Sequence, residues 1–302
     1  SVYPDHALKA SDLVSRAEKA LHIAKTNGGN RYELYQPGTV TKTLERILLE
    51  NELRRSVEAQ YFELEYQPKI DLHTKHYIGF EALVRWVHPD LGRIPPDKFI
   101  PLAEETKIII PLGEWILNEA CRQLRQWIDE GYPPLQMAVN MSSIQLEDPN
   151  VDLVVQAALQ RYNIQPQWLE IELTESAFAD RKELSETIER IRAIGVSVAI
   201  DDFGTGYSTF SYIKELPIDT IKIDRAFVQE IDNNKENQAI VSAIVTLAAT
   251  AQLQVVAEGI ESEHEGEVLR ELGCEIGQGY FYSRPVAPEE CVILMDEHHQ
   301  KE

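Results

Sequence analysis

Carboxylate side chains recur near the ends of apolar segments in this sequence, and such groups can hold metal ions. The acidic residues concerned are Glu81, Glu172, Asp201, Asp202 and Glu258. A buried, unpaired charge costs several kcal/mol, so five of them at one edge of a sheet require compensation. Lys222 supplies one positive charge, and two divalent cations would neutralise the four negative charges that remain. The pattern therefore predicts a site for two metal ions.

The predicted ligand atoms are all oxygens. Asn140, near the end of another apolar segment, adds an amide carbonyl, and the set contains no His or Cys. Oxygen ligands suit Mg²⁺ or Mn²⁺ and disfavour zinc. A carboxylate-rich site for two cations is a standard means of hydrolysing a phosphodiester. Any one of these carboxylates alone would be interpreted as a helix cap or an ion-pair partner; only the set predicts catalysis.

Eight apolar or β-branched segments must position these residues. They are Phe62–Ile70, Tyr77–Val87, Leu135–Met141, Trp168–Thr174, Val196–Asp202, Thr220–Asp224, Gln254–Glu258 and Glu275–Phe281. Helical periodicity lies between most of them, at about 97–105, 111–130, 148–162, 181–194, 207–215, 235–252 and 263–272. Such alternation predicts a (β/α)8 barrel, in which catalytic groups lie at the carboxyl ends of the strands.

The connection between the first two predicted strands is unusually short. Only Asp71–His76 lies between them, which is too short for a crossover between parallel neighbours. We therefore expect an α/β fold, a modified TIM-type (β/α)8 barrel with an antiparallel first strand. A doubly wound open sheet is the alternative, less favoured because no Gly-rich phosphate-binding turn opens a helix.

Residues 1–36 form a short N-terminal helical appendage in this interpretation. Apolar spacing predicts an amphipathic helix over Ala10–Thr26, followed by a stop signal at Asn27–Asn30. Arg31–Tyr35 is expected to be a short strand. The chain is thus divided into residues 1–36 and a barrel over 37–302.

Composition limits the class of protein. The 302 residues are 43% hydrophobic and carry a formal net charge of −21, so long nucleic acid is an unsuitable partner. An apolar span of membrane-helix length and a secretory signal core are both missing, so we expect a cytoplasmic domain, although residues outside this sequence could carry a membrane anchor. Three widely spaced cysteines indicate buried thiols in a reducing compartment.

Over about residues 40–290 the sequence resembles the EAL family of cyclic di-GMP phosphodiesterases, named for the tripeptide found here as Glu81-Ala82-Leu83. Other matching motifs are Tyr66-Gln67-Pro68, Val139-Asn140-Met141-Ser142, Glu172-Leu173-Thr174-Glu175, Asp201–Ser208, Ile221–Asp224, Ala257–Glu261 and Gln278-Gly279-Tyr280. The tripeptide alone is weak support, whereas the ordered series at predicted strand ends is specific. Val84 replaces the usual Leu, a conservative change.

The resemblance implies a role for each matching residue. One metal would be bound by Glu81, Asn140, Glu172 and Asp201, and the second by Asp201, Asp202 and Glu258. Lys222 would orient water or offset charge, Gln278 would belong to the same network, and Glu175 would brace the loop Asp202–Ser208. Substrate would be contacted by Gln67, Arg85, Asp224 and Glu261. The implied reaction is metal-dependent hydrolysis of cyclic di-GMP to linear pGpG by a water activated between two metals.

The resemblance also bears on the assembly and the N-terminus. Family members commonly pair near the Asp202–Ser208 loop, which implies a homodimer. Residues 17–32 resemble the closing segment of a GGDEF (diguanylate cyclase) domain, although the Gly-Gly-Asp-Glu-Phe signature itself is missing. We therefore expect the N-terminal segment to be a remnant of such a domain in a longer tandem protein.

Two other functions remain open at this stage. A binding module could sense cyclic di-GMP without cutting it, but such a receptor is expected to have lost a metal ligand or the Asp202–Ser208 loop. An unrelated carboxylate-metal barrel, such as an enolising enzyme, would share the two-cation chemistry but not the ordered motifs.

Overall fold

A computed structural model of the chain describes residues 1–26, 32–35, 39–178, 182–204 and 216–299. It contains two compact units, Ser1–Gln60 and Tyr61–Glu302. The predicted division of functional domains after residue 36 stays a prediction. No helix in the described part of the chain is long and apolar enough to cross a membrane.

The first unit contains two helices, α1 (Ala10–Thr26) and α2 (Thr39–Ala59). The sequence predicted α1 with both of its ends, because apolar residues recur on one face. It did not predict α2, in which charged residues interrupt the apolar spacing. The predicted strand Arg31–Tyr35 is wrong for residues 32–35, which are not in a strand, while Arg31 lies outside the described residues.

Nine strands of the second unit form one sheet. They are β1 (Phe62–Asp71), β2 (Tyr77–His88), β3 (Gly92–Ile94), β4 (Gln136–Asn140), β5 (Leu169–Thr174), β6 (Ser197–Phe203), β7 (Thr220–Ile223), β8 (Gln254–Ala257) and β9 (Ile276–Gly277). The order is β1-β9-β8-β7-β6-β5-β4-β2-β3, and β1 also pairs with β2. That pairing closes eight strands into a barrel and excludes the open-sheet alternative.

The hairpin between β1 and β2 has the predicted direction. β1 is antiparallel to β2 and to β9, while the pairs from β2–β4 to β8–β9 are parallel. The Asp71 carboxylate accepts hydrogen bonds from the backbone N–H groups of His73 and Thr74, both at 2.8 Å, and so closes the turn. The register places Gln67 opposite Glu81, two residues of the predicted site.

Helices surround the barrel in the predicted positions, with small differences at their ends. They are α3 (Pro96–Glu105), α4 (Ile109–Asp129), α5 (Ser143–Leu146), α6 (Val151–Tyr162), α7 (Lys182–Ala193), α8 (Arg225–Val228), α9 (Lys235–Ala251), α10 (Glu263–Glu271) and α11 (Pro288–His299). The helix predicted at 207–215 lies outside the described residues. The short elements β3, α5 and α8, and the terminal α11, were not predicted.

The last barrel strand is shorter than the predicted segment Glu275–Phe281. The chain leaves the sheet after Gly277, and the backbone N–H of Phe281 donates to the carbonyl of Ile260 at 3.0 Å. A Cβ atom on Gly279 would lie only 2.1 Å from the Ile260 carbonyl oxygen. The close approach of two backbones therefore requires glycine at position 279.

Candidate active site

Lys222, on β7, lies at the centre of a cluster of carboxylates inside the barrel. Its side chain is 1% exposed, and its Nζ lies 2.6 Å from Glu172, 2.7 Å from Glu258, 3.2 Å from Asp201 and 3.6 Å from Glu81. These partners belong to β5, β6, β2 and the end of β8, so only the closed barrel brings them together. The structure thus groups five of the residues that the sequence predicted for the site.

A second buried lysine lies on the other side of Glu172. Lys69 Nζ donates to Glu170 Oε1 at 2.6 Å and to Glu172 Oε1 at 2.8 Å. Thr220 Oγ1 donates to the second oxygen of Glu170 at 2.8 Å. Lys69 and Glu170 were not predicted as site residues. The signal was present in the alternation, which places Lys69 on the face of Gln67 and Glu170 on the face of Glu172.

Glu81 is held by two amide side chains. Asn140 Nδ2 donates to Glu81 Oε1 at 2.7 Å, and Gln278 Nε2 donates to Glu81 Oε2 at 2.6 Å. Gln278 Nε2 also lies 3.0 Å from Gln67 Oε1. Because Asn140 donates through its nitrogen, its carbonyl oxygen is directed away from Glu81 and can accept a cation.

Asp202 joins two of these carboxylates where β6 and β8 end. Asp201, Asp202 and Glu258 each offer an oxygen, and the three oxygens lie within 4.8 Å of one another. Asp202 has a left-handed backbone with φ 54°, which costs free energy for a non-glycine residue. That conformation, at the register shift of β6 after Ile200, lets consecutive aspartates reach the same space.

The charges of this cluster do not balance among the described side chains. Its six carboxylates are Glu81, Glu170, Glu172, Asp201, Asp202 and Glu258, against the ammonium groups of Lys69 and Lys222. Four negative charges remain. The sequence predicted the same excess, because the two residues that it missed, Lys69 and Glu170, carry opposite charges.

The pKa values of the carboxylates reflect this excess. Burial and the charges of Asp201 and Asp224 raise the pKa of Asp202 to about 6. Burial likewise raises the pKa values of Glu81 and Glu258. Burial would also raise the pKa of Glu172, but Lys222 and Lys69 outweigh it and hold that pKa at about 2. Glu172 is therefore ionised at any ordinary pH, whereas the other three retain protons more readily.

Glu175 contacts the start of the predicted loop Asp202–Ser208. It follows β5 in a short 3₁₀ turn and is buried, and its Oε2 accepts a hydrogen bond from the Gly204 N–H at 2.9 Å. Gly204 has φ +100°, which a side chain would strain. Residues 205–208 of the loop lie outside the described residues.

A cavity of about 410 Å³ opens onto the cluster. Of the residues predicted to bind substrate, Gln67, Asp224 and Glu261 line it. Arg85 is not among the described residues that line it, because Arg85 Nε donates to Glu65 Oε2 on β1 at 2.6 Å. Lining residues that the sequence did not single out include Arg225 and Gln229. They lie at the start and just after the end of the short helix α8 and carry no distinctive pattern in sequence.

The donor set fits divalent cations that prefer oxygen. Carboxylate oxygens and the free carbonyl of Asn140 face the same region, and no His or Cys is part of the described cluster. Among the described residues, the buried Oε1 of Gln278 has no hydrogen-bond partner. A buried carbonyl without a partner is costly, so this atom is suited to accept from water or ligand in the cavity.

Comparison with known proteins gives a family match over most of the chain. The model of the EAL domain matches residues 50–285. The bifunctional diguanylate cyclase/cyclic di-GMP phosphodiesterase MucR of Pseudomonas aeruginosa is 40% identical over 291 residues, which are 96% of this chain and 42% of MucR. The cyclic di-GMP phosphodiesterase NbdA of the same organism is 38% identical over 95% of this chain and 37% of NbdA.

A structure of PaMucR phosphodiesterase in complex with c-di-GMP is similar in fold and sequence. Its TM-score is 0.76 at 43% identity, and the match covers 81% of this chain and 99% of that one. This chain spans about two fifths of the length of the two curated relatives.

Proposed function

This chain belongs to the EAL domain family, and from that membership we propose that it is a metal-dependent hydrolase of cyclic di-GMP. The observation that carries the proposal is the convergence of Glu81, Glu172, Asp201 and Glu258 on Lys222 at the carboxyl ends of the barrel strands. The names of MucR and NbdA, and the c-di-GMP bound to PaMucR, support this substrate.

The metals proposed are two Mg²⁺ or Mn²⁺ ions. Glu81, Asn140, Glu172 and Asp201 would hold one, and Asp201, Asp202 and Glu258 the other, an assignment supported by the oxygen donor set. Two divalent charges would also balance the four negative charges left by the described side chains. When bound, such cations polarise the phosphodiester and lower the pKa of a water molecule.

The chain's own residues prepare the site for hydrolysis. Asn140 and Gln278 fix both oxygens of Glu81, and Lys222 keeps Glu172, Asp201 and Glu258 turned inward. In the reaction a water oxygen bonds to phosphorus, the P–O3′ bond breaks, and the departing 3′ oxygen takes a proton. The product is linear pGpG. Lys222 offsets the negative charge that develops on the phosphoryl oxygens.

Substrate would enter the cavity beside this cluster. Gln67, Asp224 and Glu261 line it and are proposed to contact the nucleotide. Arg85 is proposed as a phosphate contact, which requires it to share its guanidinium between Glu65 and the substrate. A planar guanidinium has five N–H donors, so one ion pair leaves others available.

The first experiment separates hydrolysis from binding. Purified protein is incubated with cyclic di-GMP and Mg²⁺ or Mn²⁺, with and without EDTA, and the nucleotides are resolved by chromatography. We expect metal-dependent pGpG, lost in Glu81→Gln because the carboxylate charge is removed. Glu114→Gln, at an exposed glutamate on α4, is the matched control and should retain activity. Intact cyclic di-GMP that still binds tightly would instead establish the receptor function.

We also propose that the protein forms a homodimer near the Asp202–Ser208 loop, as the family resemblance implies. Hydrolysis should then fall on dilution below the dimer dissociation constant, since loop order and activity would be coupled. Light scattering and activity are measured over the same concentration series. A monomer with full activity would contradict the proposal.

For the N-terminal segment, residues 1–36, we propose descent from a GGDEF-like domain of a cytoplasmic signalling protein. The match to MucR, whose name includes a cyclase activity, extends over 96% of this chain and supports that origin. The upstream sequence of the gene tests it directly, because an open reading frame without the rest of that domain would rule it out.

A further inference from the structure

Lys69 is a fully buried cation that the proposed reaction does not use. It lies on β1, its side chain is 1% exposed, and its hydrogen bonds reach Glu170 and Glu172 on β5. A buried lysine is costly unless its charge is paired, and here two carboxylates share it. Without Lys69, two buried carboxylates would lie side by side with no cation between them. The ion pairs with both therefore hold Lys69 in place.

Glu172 is held from both sides by lysines. Its Oε1 accepts from Lys69 at 2.8 Å and its Oε2 from Lys222 at 2.6 Å. A carboxylate on a free side chain rotates about its last bond, whereas two charge-assisted hydrogen bonds fix that rotation. Lys222 alone would leave the other oxygen of Glu172 free to turn.

Lys69 is itself fixed by the barrel interior. Glu170 Oε1 accepts its second hydrogen bond at 2.6 Å, and Glu170 Oε2 accepts from Thr220 at 2.8 Å. Thr220 and Lys222 are neighbours on the inward face of β7, and Glu170 and Glu172 are neighbours on that of β5. The result is a continuous chain of hydrogen bonds from Thr220 through Lys69 to Lys222.

We propose that Lys69 is a positioning residue that locks the orientation of Glu172 as a metal ligand. The inference rests on the proposed metal site of the hydrolase. Partners of metal ligands act in this way in other proteins, where their loss typically weakens metal affinity or activity about 10- to 100-fold.

The sign of the effect separates this role from a simple electrostatic one. A lysine beside a cation site repels the cation, so charge alone predicts that removing Lys69 tightens metal binding. Loss of a fixed ligand predicts the opposite, because the free protein must then order Glu172 when the metal binds. We expect the ordering effect to exceed the Coulomb effect.

The test compares Mn²⁺ binding, by electron paramagnetic resonance without nucleotide, in the wild type and in Lys69→Met. The dissociation constant should rise about tenfold or more. At saturating Mn²⁺, kcat should fall while the KM for cyclic di-GMP stays unchanged. Unchanged or tighter Mn²⁺ binding in the folded variant would overturn the proposal.

Glu170→Gln is the matched control. It removes a charge at the same depth, but an amide oxygen can still accept from Lys69, and the Lys69–Glu172 contact is kept. Its Mn²⁺ affinity should fall less than that of Lys69→Met, because one negative charge of the cluster is lost but the hydrogen bond that holds Glu172 Oε1 is kept. A loss equal to that of Lys69→Met would show a general packing effect and would count against the proposal.

A second variant serves if Lys69→Met does not fold. Lys69→Met combined with Glu170→Gln removes one charge of each sign and leaves the net charge of the cluster unchanged. It should fold and still bind Mn²⁺ weakly; wild-type affinity would refute the role. Because Mn²⁺ binding is measured without nucleotide, wild-type protein that binds Mn²⁺ but leaves cyclic di-GMP intact would refute the proposed function and not this inference.

Discussion

Replacing Lys222 by methionine should lower the rate of cyclic di-GMP hydrolysis about 1,000-fold, the usual cost of losing a preorganised charge at a reacting centre. The variant keeps the length of the side chain but removes the ammonium that lies within 3.2 Å of Glu172, Asp201 and Glu258. Mn²⁺ affinity should fall as well, because Lys222, like Lys69, holds one oxygen of the proposed metal ligand Glu172 in place, so the rates are compared with Mn²⁺ at saturation. The loss is thus expected in kcat at saturating Mn²⁺.

Lys98→Met is the control for this prediction, since Lys98 is an exposed lysine on α3. Its kcat should equal that of the wild type. Rates are measured from pGpG formation over a full Mn²⁺ titration, and Mn²⁺ affinity is measured separately. A Lys222→Met enzyme with more than a tenth of the wild-type kcat would show that the ammonium is not needed for the reaction.

The same substitution should destabilise the metal-free protein. Breaking a buried ion pair by removing one partner costs about 3–5 kcal/mol, and here several carboxylates lose the same partner. Saturating Mn²⁺ should recover much of this loss. If Mn²⁺ restores the stability of Lys222→Met, the loss is due to uncompensated charge; if it does not, the loss is due to packing.

Metal removal should make the stability of the protein fall as pH rises from about 5 to about 7, through the raised pKa of Asp202. The pKa of Asp202 is raised to about 6, and those of Glu81 and Glu258 are raised as well. In that range the folded state holds protons that the unfolded state has released, so deprotonation destabilises the folded state. Glu172, with a pKa of about 2, titrates below the range and does not contribute.

Metal should reverse this trend, because cations take the place of the protons. At 100 times the dissociation constant a ligand adds about 2.7 kcal/mol of stability, which raises Tm by about 5–10 °C in a domain of this size. Tm is measured by calorimetry with EDTA or Mg²⁺ across the pH range. Asp202→Asn should flatten the pH dependence of Tm in the metal-free protein. An unchanged slope in that variant would show that the overall charge of −21, and not Asp202, causes the pH dependence.

Much of the architecture could be predicted from the sequence because it depends on local patterns. Alternating strand and helix segments predicted the barrel, and the short Asp71–His76 connection predicted the antiparallel first strand, which the structure confirms. Elements with weak periodicity were missed. α2 is an example, since its charged residues conceal the apolar spacing.

The site illustrates both sides of this division. Glu81, Glu172, Asp201 and Glu258 could be singled out because a carboxylate in an apolar strand is costly and therefore conspicuous. Lys69 was not predicted as a site residue, because its partner Glu170 is 101 residues away and no pattern in either segment indicates the pairing. Arg85 was assigned to substrate by motif alone, whereas the structure places it opposite Glu63 and in an ion pair with Glu65, two residues further along β1.

The sequence by itself thus determined which residues face inward and which end of the barrel carries the charge. It also determined the excess of negative charge that calls for divalent cations. The tertiary structure decided which ammonium pairs with which carboxylate, because barrel closure and strand register bring together side chains that are distant along the chain. Ion pairs act over a few ångströms, so the pairing depends on distances that only the folded chain defines.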